Sequence, residues 1–190
     1  MNRLIEVFLV VFFAPIWVVL LLVIASLVFF SDGRPIIFKD LRAGLKGKEF
    51  ALYKFRTMRP GQEDDSKRIT KLGKFLRKTS LDELPELINV LKGDMSLVGP
   101  RPLPMRYISR YTEREFQRHN VKPGITGLAQ VNGRNQLSWE EKFEFDLEYV
   151  SKRSFLLDVK ILFKTIQVVF LARGINEKAD TTMSEFRTRS

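Results

Sequence analysis

Two adjacent carboxylates stand in the run Ser80-Leu81-Asp82-Glu83-Leu84-Pro85. Their ordinary use is a helix start: Ser80 and Glu83 have capping-box spacing, and acidic residues suit the first turn of a helix. Pro85 complicates that use. With a cap at Ser80 it is the fifth helical residue, where its missing N–H breaks a ladder bond; a cap at Asp82 makes it the third, where the loss costs little. Either way the carboxylates sit at a positive helix end, which keeps a carboxylate ionised and also attracts phosphate. An ionised aspartate there can serve as a nucleophile.

A second constellation is Val98-Gly99-Pro100-Arg101-Pro102. Two prolines fix the backbone around one arginine and so aim its side chain, whose planar fork suits a diphosphate. The same run also reads as a rigid surface turn. A third, Lys122 to Asn135, carries Gly124, Gly127 and Gly133, which permit close backbone approach to an anion, with Arg134 after the turn dipeptide Asn132-Gly133. No P-loop or dinucleotide fingerprint is present. Lys54 and Arg56 lie two apart and share a face if the segment is a strand. His119 has no partner spacing and reads as structural or solvated.

Composition narrows the chemistry. The 190-residue chain has no cysteine and one histidine, which excludes thiolate nucleophiles, cysteine-built metal centres and sites of several histidines. Its net charge of +10 points to a polyanionic partner: nucleic acid, an anionic membrane surface or a phosphorylated substrate. The charge is uneven, with 14 Lys/Arg against 6 Asp/Glu in residues 31–80.

The elements that must position these groups begin with Val7 to Phe30, 24 residues without a charge. As straight helix this run is ~36 Å long, enough to cross a ~30 Å hydrocarbon core. Pro15 interrupts it, and Trp17 lies close by, so the run leaves both a spanning anchor and a re-entrant element open. Pro35 to Met58 reads as a hairpin turning at Gly44–Gly47. Lys67 to Lys78 reads as one basic amphipathic helix, fit either for an anionic bilayer or for a solvated face. Leu84, Leu87, Ile88 and Leu91 form the stripe of a second helix stopped by Gly93. Residues 94–135 read as loops and turns. Ser138 and Glu141 give a capping box for a third helix striped by Trp139, Phe143, Leu147 and Val150. The last helix, Phe155 to Arg173, is too apolar for a solvated surface and too charged for an easy span. Ile175 to Ser190 reads as a polar tail.

The motifs Tyr53-Lys54-Phe55-Arg56-Thr57-Met58, Ser80 to Pro85, Asn89 to Ser96, Gly99 to Pro102 and Pro123 to Gly127 together resemble the bacterial sugar transferases, the monotopic phosphoglycosyl transferases. The likeness covers essentially the whole chain. Its short length and Gln130 to Asn135 are similar to the minimal form, as in the bacillosaminyl-1-phosphate transferases. The resemblance implies transfer of a sugar-1-phosphate from a UDP-sugar to undecaprenyl phosphate, with UMP leaving. The implied donor is an N-acetylated amino sugar such as UDP-N,N'-diacetylbacillosamine, with a UDP-hexose as the alternative. It makes Asp82 the nucleophile and a ligand of Mg2+, with Glu83 its partner. Substrate contacts fall on Lys54, Arg56, Arg77, Pro100, Arg101, Pro102, Asn132, Arg134 and Asp158. The family's membrane helix breaks at a Ser-Pro pair, represented here by Ala14-Pro15.

The expected fold is therefore α+β: a monotopic membrane protein on one leaflet. Residues 1–32 form a re-entrant helix-break-helix. Residues 33–190 form a compact, mainly helical catalytic domain with a short β-hairpin, interfacial amphipathic helices and a polar tail. The expected place is the cytoplasmic face of the bacterial inner membrane, and no nucleic acid is expected as partner. A basic module that binds a membrane surface without catalysis is the rival reading.

Overall fold

The computed structural model describes residues 1–61, 65–133, 136–170 and 185–186. The apolar run is two helices, α1 (Arg3–Phe12) and α2 (Ala14–Asp32), separated at Phe13. Ala14 and Pro15 are the first residues of α2, where a missing N–H removes no ladder bond. With 19 residues, α2 is by itself long and apolar enough to cross a membrane.

A hairpin follows. β1 (Ile37–Ala43) pairs antiparallel with β2 (Glu49–Phe55) in the register Phe38 to Lys54 and Leu41 to Ala51, and a 3-10 turn at Leu45–Gly47 closes it. The single basic helix expected over 67–78 is two pieces. α3 (Asp65–Arg68) ends where Ile69 bridges Met58, and α4 (Lys71–Thr79) starts from the Thr70 cap, whose hydroxyl accepts from Gly73 N at 2.9 Å. Gly73 lies so close to the preceding loop that a Cβ there would sit 2.1 Å from Thr57 O. A 3-10 turn at Leu81–Glu83 leads into α5 (Glu86–Lys92), stopped by left-handed Gly93 as the sequence predicts.

Residues 94–135 hold more order than their glycines and prolines suggest. β3 (Ser96–Val98) pairs parallel with β4 (Gly124–Thr126), and between them lie a 3-10 segment at Met105–Arg110, α6 (Glu113–Phe116) and a 3-10 turn at Gln117–Asn120. α7 (Leu128–Asn132) follows, then α8 (Trp139–Lys152), which carries the predicted Ser138/Glu141 capping box, and α9 (Phe155–Phe170). α9 buries Asp158 and Ile161 and exposes Phe155, Leu156, Phe163 and Ile166. Within the expected tail, residues 185–186 are described, and Phe186 is buried against Tyr107 and Phe143.

The core ties the apolar helices to everything else. Val10 and Trp17 pack with Leu52, Val90 and Met95; Ile24 and Val28 pack with Phe55 and Leu76. Each fully buried aliphatic side chain contributes ~1.5–3 kcal/mol. Polar contacts hold both ends of the pair to the same domain. The Met1 amino group pairs with Asp158, Ser96 donates to buried Glu6, and Arg3 donates to Leu91 O at 2.9 Å. At the other end Thr70 donates to Asp32 at 3.0 Å. α5 docks on the hairpin through Asn89, which is fully buried, donates to Ala51 O at 2.7 Å and accepts from Tyr53 N at 3.1 Å. That contact sets β2 and the Asp82-Glu83 turn side by side.

Candidate active site

The carboxylates do not start a helix in either way the spacing allows. Ser80 is left-handed, with φ 58° and ψ 18°, and it ends α4 without its side chain capping the next turn. Its carbonyl accepts from Glu83 N at 3.3 Å, closing the 3-10 turn, and Pro85 is the residue before α5. The proline therefore costs no helical bond, and Asp82 and Glu83 lie on the turn that precedes α5.

The two carboxylates have different surroundings. Glu83 Oε1 accepts from Lys54 Nζ at 2.7 Å and from Arg101 Nη2 at 2.5 Å. Burial opposes its ionisation, but those two cations outweigh burial and hold its carboxyl well below the usual carboxylate range. In return Glu83 raises the pKa of Arg101. Asp82 is half-buried and has no hydrogen-bond or ion-pair partner among the described residues. Burial, and then the Glu83 charge, push its pKa up to about 6, against the pull of Lys54, Arg101 and Arg77. Glu83 thus anchors the cations, and Asp82 is left with both oxygens open.

Beneath them lies Glu86, which the sequence reading missed. It is fully buried and sits 3.1 Å from Lys54 Nζ. Burial raises its pKa to about 7, more than the Lys54 charge lowers it. Lys54 thus stands between Glu83 and Glu86 at the end of β2. Their spacing, one helical turn apart across Pro85, was the available signal.

The arginine bracketed by prolines is held as the sequence suggests, and by more than its prolines. Pro100 and Pro102 have no N–H to offer, yet all three carbonyls of the turn are occupied. Pro100 O accepts from Gly124 N at 3.0 Å, Arg101 O from Arg118 Nη2 at 2.7 Å and Pro102 O from Arg42 Nη1 at 3.2 Å. The turn and β4 touch so closely that a Cβ on Gly124 would lie 2.0 Å from Gly99 N. The Arg101 side chain remains 45% exposed, so its fork is available to a ligand.

The other predicted site residues divide. Arg77 lies beside the cluster, its Nε donating to Thr57 Oγ1 at 2.9 Å, and its charge acts on Asp82. Arg56 is turned away: the strand ends at Phe55, and the buried guanidinium donates to Asp32, Gly33 and Arg34 carbonyls, the last at 3.0 Å. Its guanidinium thus holds the chain where α2 ends, and no residue of the cluster is among its hydrogen-bond partners. Asp158 is also engaged elsewhere. It is fully buried, pairs with the Met1 amino group and accepts from Tyr149 at 2.7 Å, with none of the cluster among its partners. Asn132 donates to Leu128 O at 2.8 Å at the end of α7 and meets Lys164 at 3.5 Å. Arg134 and Asn135 lie outside the described residues. His119 is structural, as expected: it is buried, its Nδ1 lies 3.1 Å from Gly44 O, and burial lowers its pKa to about 4, with help from Arg118.

For a divalent cation the described residues offer no cluster of three acidic or histidine side chains. The open Asp82 carboxylate nevertheless fits magnesium as that ion is commonly held, by one or two carboxylates with phosphate oxygens and water completing the shell.

Residues 1–172 match the sequence profile described as Bacterial sugar transferase. The chain belongs to that family. It is 48% identical over 192 residues to the uncharacterized sugar transferase EpsL of Bacillus subtilis (strain 168), covering 98% of this chain and 95% of that protein. It is 43% identical to a UDP-glucose:undecaprenyl-phosphate glucose-1-phosphate transferase of Klebsiella pneumoniae, over 82% of this chain and 37% of the relative. It is 44% identical to an undecaprenyl-phosphate galactose phosphotransferase of Salmonella typhimurium, over 75% of this chain and 35% of the relative. The chain thus spans nearly all of EpsL and about a third of the two relatives named for a donor or acceptor.

Proposed function

We propose that this sugar transferase moves a sugar-1-phosphate from a UDP-sugar to undecaprenyl phosphate in two in-line steps. The observation that carries the reading is the open Asp82 carboxylate beside a Glu83 that two cations hold. In the first step an Asp82 oxygen attacks the phosphorus that bears the sugar. The new bond joins that oxygen to phosphorus, the bridge to the uridine phosphate breaks, and UMP leaves with the bridging electrons. In the second step a phosphate oxygen of the lipid attacks the same phosphorus and displaces Asp82. The lipid phosphate has a second pKa of ~6 and arrives largely ionised, so no strong base is needed.

The named residues supply the remaining needs. Arg101 and Lys54 face the charge that gathers on the diphosphate, and Arg77 stands behind Asp82. Bound at Asp82 and the diphosphate, Mg2+ would neutralise charge on the leaving phosphate. Glu83 keeps Arg101 and Lys54 in place and leaves Asp82 as the nucleophile.

The relation of α1 and α2 to the domain supports a monotopic, re-entrant placement. Trp17 near the start of α2 and Ile24 and Val28 farther along all pack on the same domain, and both Met1 and Asp32 are held by it. A spanning helix would carry one of those ends to the far face. The exposed Val11, Phe12, Phe13 and Ile16 form the tip that enters one leaflet. The basic flanks after Phe30 fit the cytoplasmic face of the bacterial inner membrane.

The sugar is read in two ways. The run Gln130 to Asn135 resembles the transferases of acetamido sugars such as N,N'-diacetylbacillosamine. The names of the relatives favour a UDP-hexose, glucose or galactose. A panel of UDP-sugars with undecaprenyl phosphate, scored by UMP formation, separates the two. No UMP from any UDP-sugar would leave the basic membrane-surface module as the better reading.

A further inference from the structure

The proline-bracketed turn is held by a buried ion pair that lies outside the candidate site. Arg118 and Asp146 are each 3% exposed. Arg118 Nε donates to Asp146 Oδ2 at 3.0 Å and Nη2 donates to the same oxygen at 2.7 Å. The same Nη2 reaches Arg101 O at 2.7 Å. The guanidinium is fixed on its faces as well, with its centre 5.8 Å from the Phe143 ring and 6.0 Å from the Tyr111 ring. Two charges removed from water are costly, and a fold of this size could fill the same space with apolar side chains. One contact of this pair distinguishes it from a simple core bridge: it ends on the main chain of the arginine that bonds Glu83.

We infer that Arg118, oriented by Asp146, is a positioning residue that sets Arg101 for the donor diphosphate. The inference rests on the reading of Arg101 as a diphosphate contact. Pro102 offers no N–H on the C-terminal side of Arg101, and the Gly99 N–H is taken by Thr126 O at 2.9 Å, so neither fixes the Arg101 carbonyl. Rotation of that peptide would swing the side chain away from Glu83 and from a ligand. Arg118 takes the carbonyl and blocks the rotation. A line of contacts thus runs from α8 through Asp146, Arg118 and Arg101 to Glu83 and Lys54. Lysine at 118 keeps the charge beside Asp146 but has no fork with which to hold both partners.

The test is a double-mutant cycle on the full chain in detergent, read by calorimetric binding of UDP with Mg2+ and by melting temperature. Arg101→Ala should weaken UDP about tenfold, and Arg118→Lys and Asp146→Asn by a smaller factor. If Arg118 acts through Arg101, adding Arg118→Lys or Asp146→Asn to Arg101→Ala should weaken UDP no further, although each still lowers the melting temperature. Multiplied losses in the double variants would make the pair a structural bridge and overturn the inference, while leaving the proposed reaction intact. Loss of folding in both Arg118→Lys and Asp146→Asn would overturn it in the same way. Wild-type protein that binds no UDP would remove the reading of Arg101 as well as the inference built on it.

Discussion

The indole nitrogen of Trp17 donates to the main-chain carbonyl of Val10 at 2.8 Å, across the break between the two apolar helices. The ladder of α1 runs as far as Phe13 N to Leu9 O at 3.1 Å, and the carbonyl of Val10 is the next to need a donor. In lipid an unsatisfied carbonyl costs several kcal/mol. The family's break places a serine hydroxyl where this chain has Ala14. Here a side chain three residues later does the capping, and Trp17 is part of the break between the helices.

Trp17→Phe should keep most of the packing on Leu52 and Val90 and lose that bond. The break is then less well satisfied, and some molecules should straighten toward a spanning helix. Pro15→Ala should act in the same direction: Pro15 costs nothing at the start of α2, but in one continuous helix it would be interior and cost about 3 kcal/mol, so alanine makes the straight form more accessible. The measurement is labelling of a cysteine at Asn2 by an impermeant reagent in intact cells. Shielding in the wild-type background and partial labelling in both variants is expected. Full labelling of the wild-type background would mean a spanning helix.

Asp82→Asn separates chemistry from stability. The carboxyl pKa is raised in the folded chain, so the folded state holds its proton more tightly and stability from this group falls as pH climbs from the ordinary carboxylate range through about 6. At pH 7.5 the ionised side chain is a burden on the fold. The asparagine variant should therefore melt at a higher temperature than wild type while releasing no UMP. Intact mass should show a sugar-phosphate adduct on wild type given donor alone, and none on the variant. A lower melting temperature would show that Asp82 is stabilised by contacts the structure does not give it.

Much of the candidate site is legible in the sequence because its central groups are local. Asp82 and Glu83 are adjacent, and Arg101 is fixed by prolines on either side. What supports them is not local. Asp146 interrupts the apolar stripe of α8 three residues after Phe143, a visible signal, but its partner Arg118 lies on another element. Arg56 and Lys54 look equivalent by spacing, yet the strand ends between them and the guanidinium meets the end of α2. The β3–β4 pair has three residues per strand, too few for alternation to show. The helix expected over 67–78 has the right period throughout; Thr70 divides it because a threonine that caps competes with one that continues a helix.

Arg56→Gln should cost stability without touching the substrate. Its guanidinium holds three carbonyls at the C-terminal end of α2, where a cation also meets the negative end of the helix. Hydrogen bonds to charged groups contribute ~1.5–3 kcal/mol each and do not simply add, so a loss of about 2–4 kcal/mol is expected by denaturant titration. The KM for the UDP-sugar should stay within about twofold of wild type, a difference of only ~0.4 kcal/mol. A rise of tenfold or more would return Arg56 to the donor site.

The pH profile of the first half-reaction should carry the mark of Asp82. A nucleophilic carboxylate works only when ionised, so adduct formation should rise with pH through about 6 and level off above it. The ordinary aspartate value of 3.8 would put that rise more than two units lower. Glu83 should not contribute within this window, since Arg101 and Lys54 hold it well below the usual carboxylate range. Removing one of those cations changes the outcome in a predictable direction. Arg101→Gln takes away a charge that favours ionised Asp82, so the midpoint should move to higher pH. Glu83→Gln removes the negative neighbour that raises Asp82 and should move the midpoint lower, even as turnover falls with the loss of the anchor for Lys54 and Arg101. The measurement is single-turnover adduct formation between pH 4.5 and 8, followed by quenching and intact mass. Shifts in opposite directions for the two variants are the expected result; a midpoint that stays near 6 in both would assign the titration to another group, with buried Glu86 at about 7 the nearest alternative.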